Sequence, residues 1–202
     1  MEVPMRSLFV IALVSSMLFV QGCGTRQFTK GSYDDVNNEN LLDDLWSETD
    51  MQKAVNELVA SLLKNRTIGE AKRPPLVMVT KLQNKTAEVI DGQNIMDMVK
   101  VDLMSSGKVR FLDKEARQDI ADEYEYQNSG MVSGETKKGP GGQSGADYII
   151  NGRLDSIVKE VGKEKTVYYK LTLMLTNLKT SEHEWADQKE IRKKFKKRRV
   201  GI

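Results

Sequence analysis

The apolar positions along this chain change period three times, and each change predicts a different kind of element. Residues 8–20 are an apolar run broken only by Ser15 and Ser16. Over residues 50–64, Met51, Ala54, Val55, Leu58, Val59, Leu62 and Leu63 recur at three- and four-residue spacing. That spacing is one face of a helix, with Thr49 or Asp50 placed to cap it. Pro74 and Pro75 reset the chain, and the apolar run 76–82 suits a buried strand. Residues 84–86 read as a loop. Ile95, Val99 and Leu103 mark a second helix, which Gly107 ends as its C′ residue. Residues 109–112 form a short strand. Asp113 is placed to cap a third helix with Ala116, Ile120 and Tyr124 on one side. Residues 128–145 are a Gly-rich loop.

The last third alternates. Tyr148, Ile150, Gly152 and Leu154 share one face of a strand. Val167, Tyr169, Leu171, Leu173 and Leu175 alternate strictly with more polar residues. This is a long strand buried on one face. Gly162 and Lys163 fit the turn between the two, residues 179–182 make another turn, and residues 183–191 are a third strand containing Trp185. The order predicts an α+β fold: a mixed sheet ending in a three-stranded antiparallel meander, with helices packed on it.

The first apolar run has its own meaning. At 13 residues it falls short of the roughly 20 needed to cross a bilayer as a helix. It matches the core of a signal peptide. Val20-Gln21-Gly22-Cys23 follows and reads as a lipobox, with cleavage after Gly22 and a lipid on Cys23. Cys23 is the single cysteine, so no intrachain disulfide is available. Several acyl chains on one residue give a stable membrane anchor where one would be marginal. Gly24 stands where an Asp would hold similar lipoproteins in the inner membrane, so a lipid-anchored, periplasm-facing place on the outer membrane is expected. The expected division is a signal peptide over 1–22, a lipidated Cys23 and polar tether over 23–48, a globular domain over 49–191 and a basic tail over 192–202. Fully extended, 25 tether residues reach about 80–90 Å. Leu41, Leu42, Leu45 and Trp46 form a small apolar cluster able to dock back on the domain.

Charge changes the picture at the other end. Residues 189–202 hold eight Lys or Arg and one Glu, hence +7, and the chain as a whole is +2, so the remainder is −5. Arg192, Lys193, Lys194, Lys196, Lys197, Arg198 and Arg199 are therefore expected electrostatic contacts. In an exported chain their partners are anionic lipid or acidic wall polymer such as peptidoglycan, not nucleic acid.

Catalytic chemistry finds no foothold. His183 is the single histidine and has no partner motif for a metal or a triad. The Gly139–Gly145 stretch lacks a phosphate loop's Gly-Lys-Ser/Thr ending. Asn65-Arg66-Thr67 and Asn84-Lys85-Thr86 match a glycosylation triplet by chance. No catalytic residue, metal or cofactor is expected. Among the tyrosines, Tyr124, Tyr126 and Tyr168 are available as partner anchors, whereas Tyr148 and Tyr169 lie on apolar faces.

From about residue 74 to 191 the chain resembles the LpoB-type lipoprotein activators of bifunctional penicillin-binding proteins. A strand running into Asn84-Lys85-Thr86 carries part of this. So do Ser106-Gly107-Lys108-Val109-Arg110-Phe111-Leu112 and Gly145-Ala146-Asp147-Tyr148-Ile149-Ile150-Asn151-Gly152-Arg153-Leu154. The segment Leu173-Met174-Leu175-Thr176-Asn177-Leu178-Lys179-Thr180-Ser181-Glu182 with Trp185 completes it, and the lipobox adds an independent match. The second and third segments also resemble the N-terminal domain of TolB and the curli-export lipoprotein. The resemblance implies a non-enzymatic regulator that binds an accessory domain of a class A synthase and raises glycan polymerisation and crosslinking. The competing reading is a structural envelope lipoprotein using its basic tail. A secretion-channel subunit would need further long strands, for which no segment remains.

Overall fold

The computed structural model describes residues 31–39 and 41–197. Residues 31–36 belong to an N-terminal unit of their own and contain no helix or strand. Among the described residues, regular structure lies in the unit from Asn37 onward. In chain order it runs α1 (Glu48–Lys64), α2 (Arg66–Gly69), β1 (Leu76–Val79), β2 (Gln83–Lys85), α3 (Gly92–Ser105), β3 (Arg110–Phe111), α4 (Arg117–Asn128), β4 (Tyr148–Val161), β5 (Glu164–Asn177) and β6 (His183–Lys196).

The strands form one mixed sheet in the order β3-β1-β4-β5-β6, with β2 also beside β4. β1 pairs parallel with β3 and β4. β4, β5 and β6 form an antiparallel meander of 14-residue strands. The expected α+β architecture is present, and its alternation is the one read from sequence. Ile150, Leu154, Val167, Tyr169, Leu171, Leu173 and Leu175 are all at most 1 % exposed. On the same face lie Ala54, Val55, Leu58 and Leu62 of α1 and Ile95, Met96, Val99 and Leu103 of α3. Period 2 from the sheet thus meets period 3.6 from the helices in one core. Gly162, at φ +59°, opens the two-residue turn between β4 and β5, where a positive φ favours glycine.

Local detail corrects several expectations. Helix α1 starts at Glu48, and its N-cap is Ser47, not Thr49 or Asp50. Asp50 is the third helical residue and closes a capping box: its carboxylate accepts the Ser47 N–H at 3.0 Å. Such a box satisfies two otherwise orphaned N–H groups reciprocally. The expected strand 76–82 stops at Val79, because Leu82 turns its side chain into the core (3 % exposed). Its continuation, β2, includes Asn84 and Lys85, so the expected loop over 84–86 is strand up to Lys85.

Both glycosylation-like triplets are backbone caps. Asn65 Oδ1 accepts the Thr67 N–H and starts α2, and Asn84 Oδ1 accepts the Thr86 N–H, each at 2.9 Å. Asp113 caps a turn rather than the third helix. Its Oδ1 accepts from Glu115 and Ala116 N–H, and α4 begins at Arg117 with no side-chain cap. No residue of α4 is buried, so Ile120 and Tyr124 do not enter the core as a helix face would.

The largest correction concerns β6. It does not end at Ile191 but continues to Lys196, paired opposite Glu164. β5 begins at Glu164 and offers β6 a partner along that whole length. Arg192, Lys193, Lys194 and Lys196 are therefore strand residues, not the start of a separate tail.

Candidate functional site

The sequence places its site chemistry on β6, and the geometry of that strand sorts the residues. Beyond its end, the Lys197 N–H donates to the Lys163 carbonyl at 2.8 Å. Backbone groups alternate in an antiparallel ladder. From Trp185 onward, odd-numbered residues of β6 thus aim their N–H and C=O at β5, and even-numbered ones aim theirs outward. Side chains alternate with the same period. Trp185, Ile191 and Lys193 face the helices, while Arg192, Lys194 and Lys196 project from the opposite, uncovered face.

On the covered face Lys193 is a core residue. It is 4 % exposed, and its Nζ lies 2.5 Å from an Asp50 carboxylate oxygen and 2.5 Å from the Leu45 carbonyl. It also sits over the Tyr169 ring, 5.7 Å from the centroid. A buried ammonium needs such pairing to remain charged. Lys193 was expected as an electrostatic contact; the structure corrects this, because its charge is fully used inside the molecule.

The same network ties down the residues before α1. Trp46 packs edge-on against Tyr169 with centroids 5.3 Å apart, and its N–H donates to Glu88 at 2.9 Å. The Tyr169 hydroxyl donates to the other Glu88 oxygen and lies 3.1 Å from the Asp44 carbonyl. Burial, and then the adjacent Glu88 carboxylate, push the Tyr169 phenol far above its ordinary range. Lys165 pairs with Asp44; this contact is the main reason the Asp44 carboxyl falls below its usual value. Of the expected apolar cluster, Trp46 docks, while Leu41, Leu42 and Leu45 remain exposed.

The uncovered face holds a shallow trough of about 640 Å³ between the ends of β4, β5 and β6. Its lining mixes the apolar Ile157 and Tyr168 with four cations, Lys159, Lys170, Arg192 and Lys194, and two carboxylates, Glu164 and Glu190. The Arg192 guanidinium lies 6.0 Å from the Tyr168 ring centre, at the outer limit of a cation–π contact. Partial burial and a bond to Glu190 raise the Tyr168 phenol. Lys196 pairs with Glu164 at 3.4 Å, and Lys197 with Glu160 at 3.1 Å. Lys194 has no ion-pair partner among the described residues. Sequence reasoning missed Ile157, Lys159 and Lys170. The signal was present, since period-2 alternation puts them on the face opposite the predicted core.

The other expected sites are spread out. Gly22, Cys23, Arg198 and Arg199 lie outside the described residues. His183 is exposed, with Nδ1 3.0 Å from Thr176 Oγ1. Tyr124 and Tyr126 lie on α4, far along the chain from the trough, and Tyr148 is half-buried at the start of β4. Among the described residues, no group of three His, Cys, Asp or Glu is placed to hold a metal ion, and no helix is long and apolar enough to cross a membrane.

Residues 50–191 match the sequence profile of a family described as "Peptidoglycan-synthase activator LpoB". No curated protein sequence matches significantly. Among solved structures, the C-terminal domain of LpoB from Salmonella enterica is similar at 16% identity and a TM-score of 0.45, over 70% of this chain and 98% of that one. The same domain from Escherichia coli gives the same values. The NMR structure of E. coli LpoB is 12% identical at a TM-score of 0.42, over 84% of this chain and 82% of that one.

Proposed function

The chain belongs to the peptidoglycan-synthase activator LpoB family, and from that premise we propose that it is a non-catalytic regulator which binds and stimulates a bifunctional, class A penicillin-binding protein. The single observation that carries this reading is the family match over residues 50–191, from within α1 to Ile191 of β6. Activation requires only that the protein bind the active state of the synthase more tightly than the resting one. A rigid domain presenting a surface suffices for that, and no reacting group is needed.

In this reading, Cys23 carries the lipid anchor in the outer membrane, and the domain faces the periplasm and the synthase's accessory domain. The docking of Asp44 and Trp46 shortens the reach. Twenty residues separate Cys23 from Asp44, which allows no more than about 65–70 Å.

The test is binding of the mature chain to the periplasmic part of each class A synthase of its own organism, at physiological salt. Saturable binding to one of them, with faster glycan polymerisation, is the expected result. Absence of binding to all of them overturns the proposal. The alternative, a structural lipoprotein gripping acidic wall polymer or anionic lipid, keeps fewer charges than the sequence offered. Lys193 is internal, and Lys196 and Lys197 are paired. It predicts salt-sensitive retention on isolated sacculi.

A further inference from the structure

Among the described residues, β6 has a strand on one side only. Its ladder with β5 runs unbroken from Trp185 to Lys196, and the one irregularity lies at its start, opposite Leu175 and Thr176. By the alternation described above, Ala186, Gln188, Glu190, Arg192, Lys194 and Lys196 point their backbone N–H and C=O away from the sheet. The Gln188 N–H is turned toward the Asp187 carboxylate at 2.8 Å. The strand contains no Pro and no bulge along this stretch. Such an edge is a template for another strand.

Lysines on an edge strand commonly keep other strands away. Here the exclusion is selective. A second copy of β6 added in parallel register would set Arg192 and Lys194 against their own kind. An acidic strand would meet these two groups with opposite charge, Lys196 and Lys197 being already paired with Glu164 and Glu160. One strand further in, on β5, the trough offers the Tyr168 ring to a long apolar side chain of the incoming segment, while Ile157 lies a further strand away on β4. Backbone bonding at the edge, charge along it and an aromatic ring beside it together describe strand addition with side-chain selection.

We propose that the outer edge of β6 receives an acidic, extended segment of the synthase, added as a further strand of the sheet. This rests on the synthase reading above and goes beyond it by naming the surface and the form of the partner.

The experiment compares the mature chain with three variants against the periplasmic part of its class A synthase. Lys194→Pro removes an outward N–H and leaves the ladder to β5 intact, since Pro is tolerated on an edge. Lys194→Gln removes the charge and keeps the N–H. Arg192→Glu with Lys194→Glu reverses the charge. Near-UV circular dichroism of Trp46 and Trp185 checks that each variant is folded. The Pro variant is expected to bind at least about tenfold more weakly, and the Gln variant about threefold or less, because a neutral backbone bond and a screened surface charge differ in that order. In the bound wild type, amide exchange is expected to slow at 186, 190, 192, 194 and 196. If the synthase binds but those amides exchange as before and the Pro variant binds like wild type, the edge is not the site and the synthase reading survives. If phosphatidylglycerol vesicles displace the synthase and protect the same amides, the surface is a general anion site and the proposal falls. If wild type binds no synthase at all, both readings fall together.

Discussion

Lys193 and Lys194 are neighbours in the chain, yet they live on opposite faces of one sheet. Lys193 lies against α1 and Leu45, with its charge matched by Asp50 and its ammonium over Tyr169. Lys194 lines a trough on the face that no helix of the described residues covers. A run of basic residues is thus not one feature. On one face it holds the fold together, and on the other it presents charge to whatever approaches. Composition cannot separate the two roles, but the two-residue period of the strand can.

The sharpest way to break this comparison is to remove the partner of the buried lysine. Asp50→Ala leaves an uncompensated ammonium 4 % exposed and dissolves the capping box with Ser47. A loss of about 3–5 kcal/mol is expected, read as a lower urea midpoint with an unchanged slope. A loss below about 1 kcal/mol would mean that water reaches Lys193 and that the two faces differ less than argued here.

Packing on the covered face gives the next effect. A Cβ on Gly152 would meet Leu173 Cδ2 at 2.5 Å, Leu82 Cδ1 at 2.8 Å and the Thr172 carbonyl at 2.8 Å. Gly152→Ala therefore overpacks the core and is expected to cost about 1–3 kcal/mol. Gly142→Ala, with nothing within 4 Å of the added atom, is the control expected to change little.

Much of the covered face was legible in the sequence, and the reason is local. The helix stripe from Met51 to Leu63 and the alternation from Val167 to Leu175 are set by chain periods of 3.6 and 2. What escaped was made by long-range contacts. Tyr169 meets Asp44 across 125 positions, and Lys193 meets Leu45 across 148; no window of sequence contains both partners. The end of β6 escaped for a different reason. Its charge run masked an alternation that Trp185, Ile191 and Phe195 still carry. The break between β1 and β2 was set by Leu82 turning inward beside Gly152, a matter of packing rather than pattern. For the site, the sequence names Arg192 and Lys194 as expected contacts, and the structure places both on the face away from the helices. The sequence places Lys193 with them because charge alone gives no direction to a side chain.

Alkaline titration sharpens the contrast with a smaller effect. Tyr169 ionises far above its ordinary value near 10 in the folded state, chiefly through burial and then through Glu88. Above pH 10 the unfolded chain releases this proton while the folded one retains it. The folded state then binds more protons than the unfolded, so stability falls as pH rises. The slope from one such group is at most about 1.4 kcal/mol per pH unit. Tyr169→Phe is expected to flatten the decline between pH 10 and 11.5 in urea-denaturation series. An unchanged slope would place the buried phenol outside the network described here.

The smallest expected effect falls on the open face, and it tests the comparison from the other side. Arg192→Ala combined with Lys194→Ala removes two charges from a rim already crowded with Lys159 and Lys170. Neither side chain is buried, and Lys194 has no ion-pair partner among the described residues. Surface substitutions of this kind move stability by no more than about 0.5 kcal/mol. The sign is expected to be slightly stabilising, since relief of repulsion with Lys159 and Lys170 opposes the loss of the Arg192 contact with Tyr168. Salt separates the two contributions: added salt screens the repulsion and should shrink the gain, whereas the ring contact is less sensitive. A double variant as damaging as Asp50→Ala would mean that the open face also supports the fold. Near-neutral stability, beside a large loss of binding to the synthase, would mean that these two side chains are kept for what they touch outside the molecule.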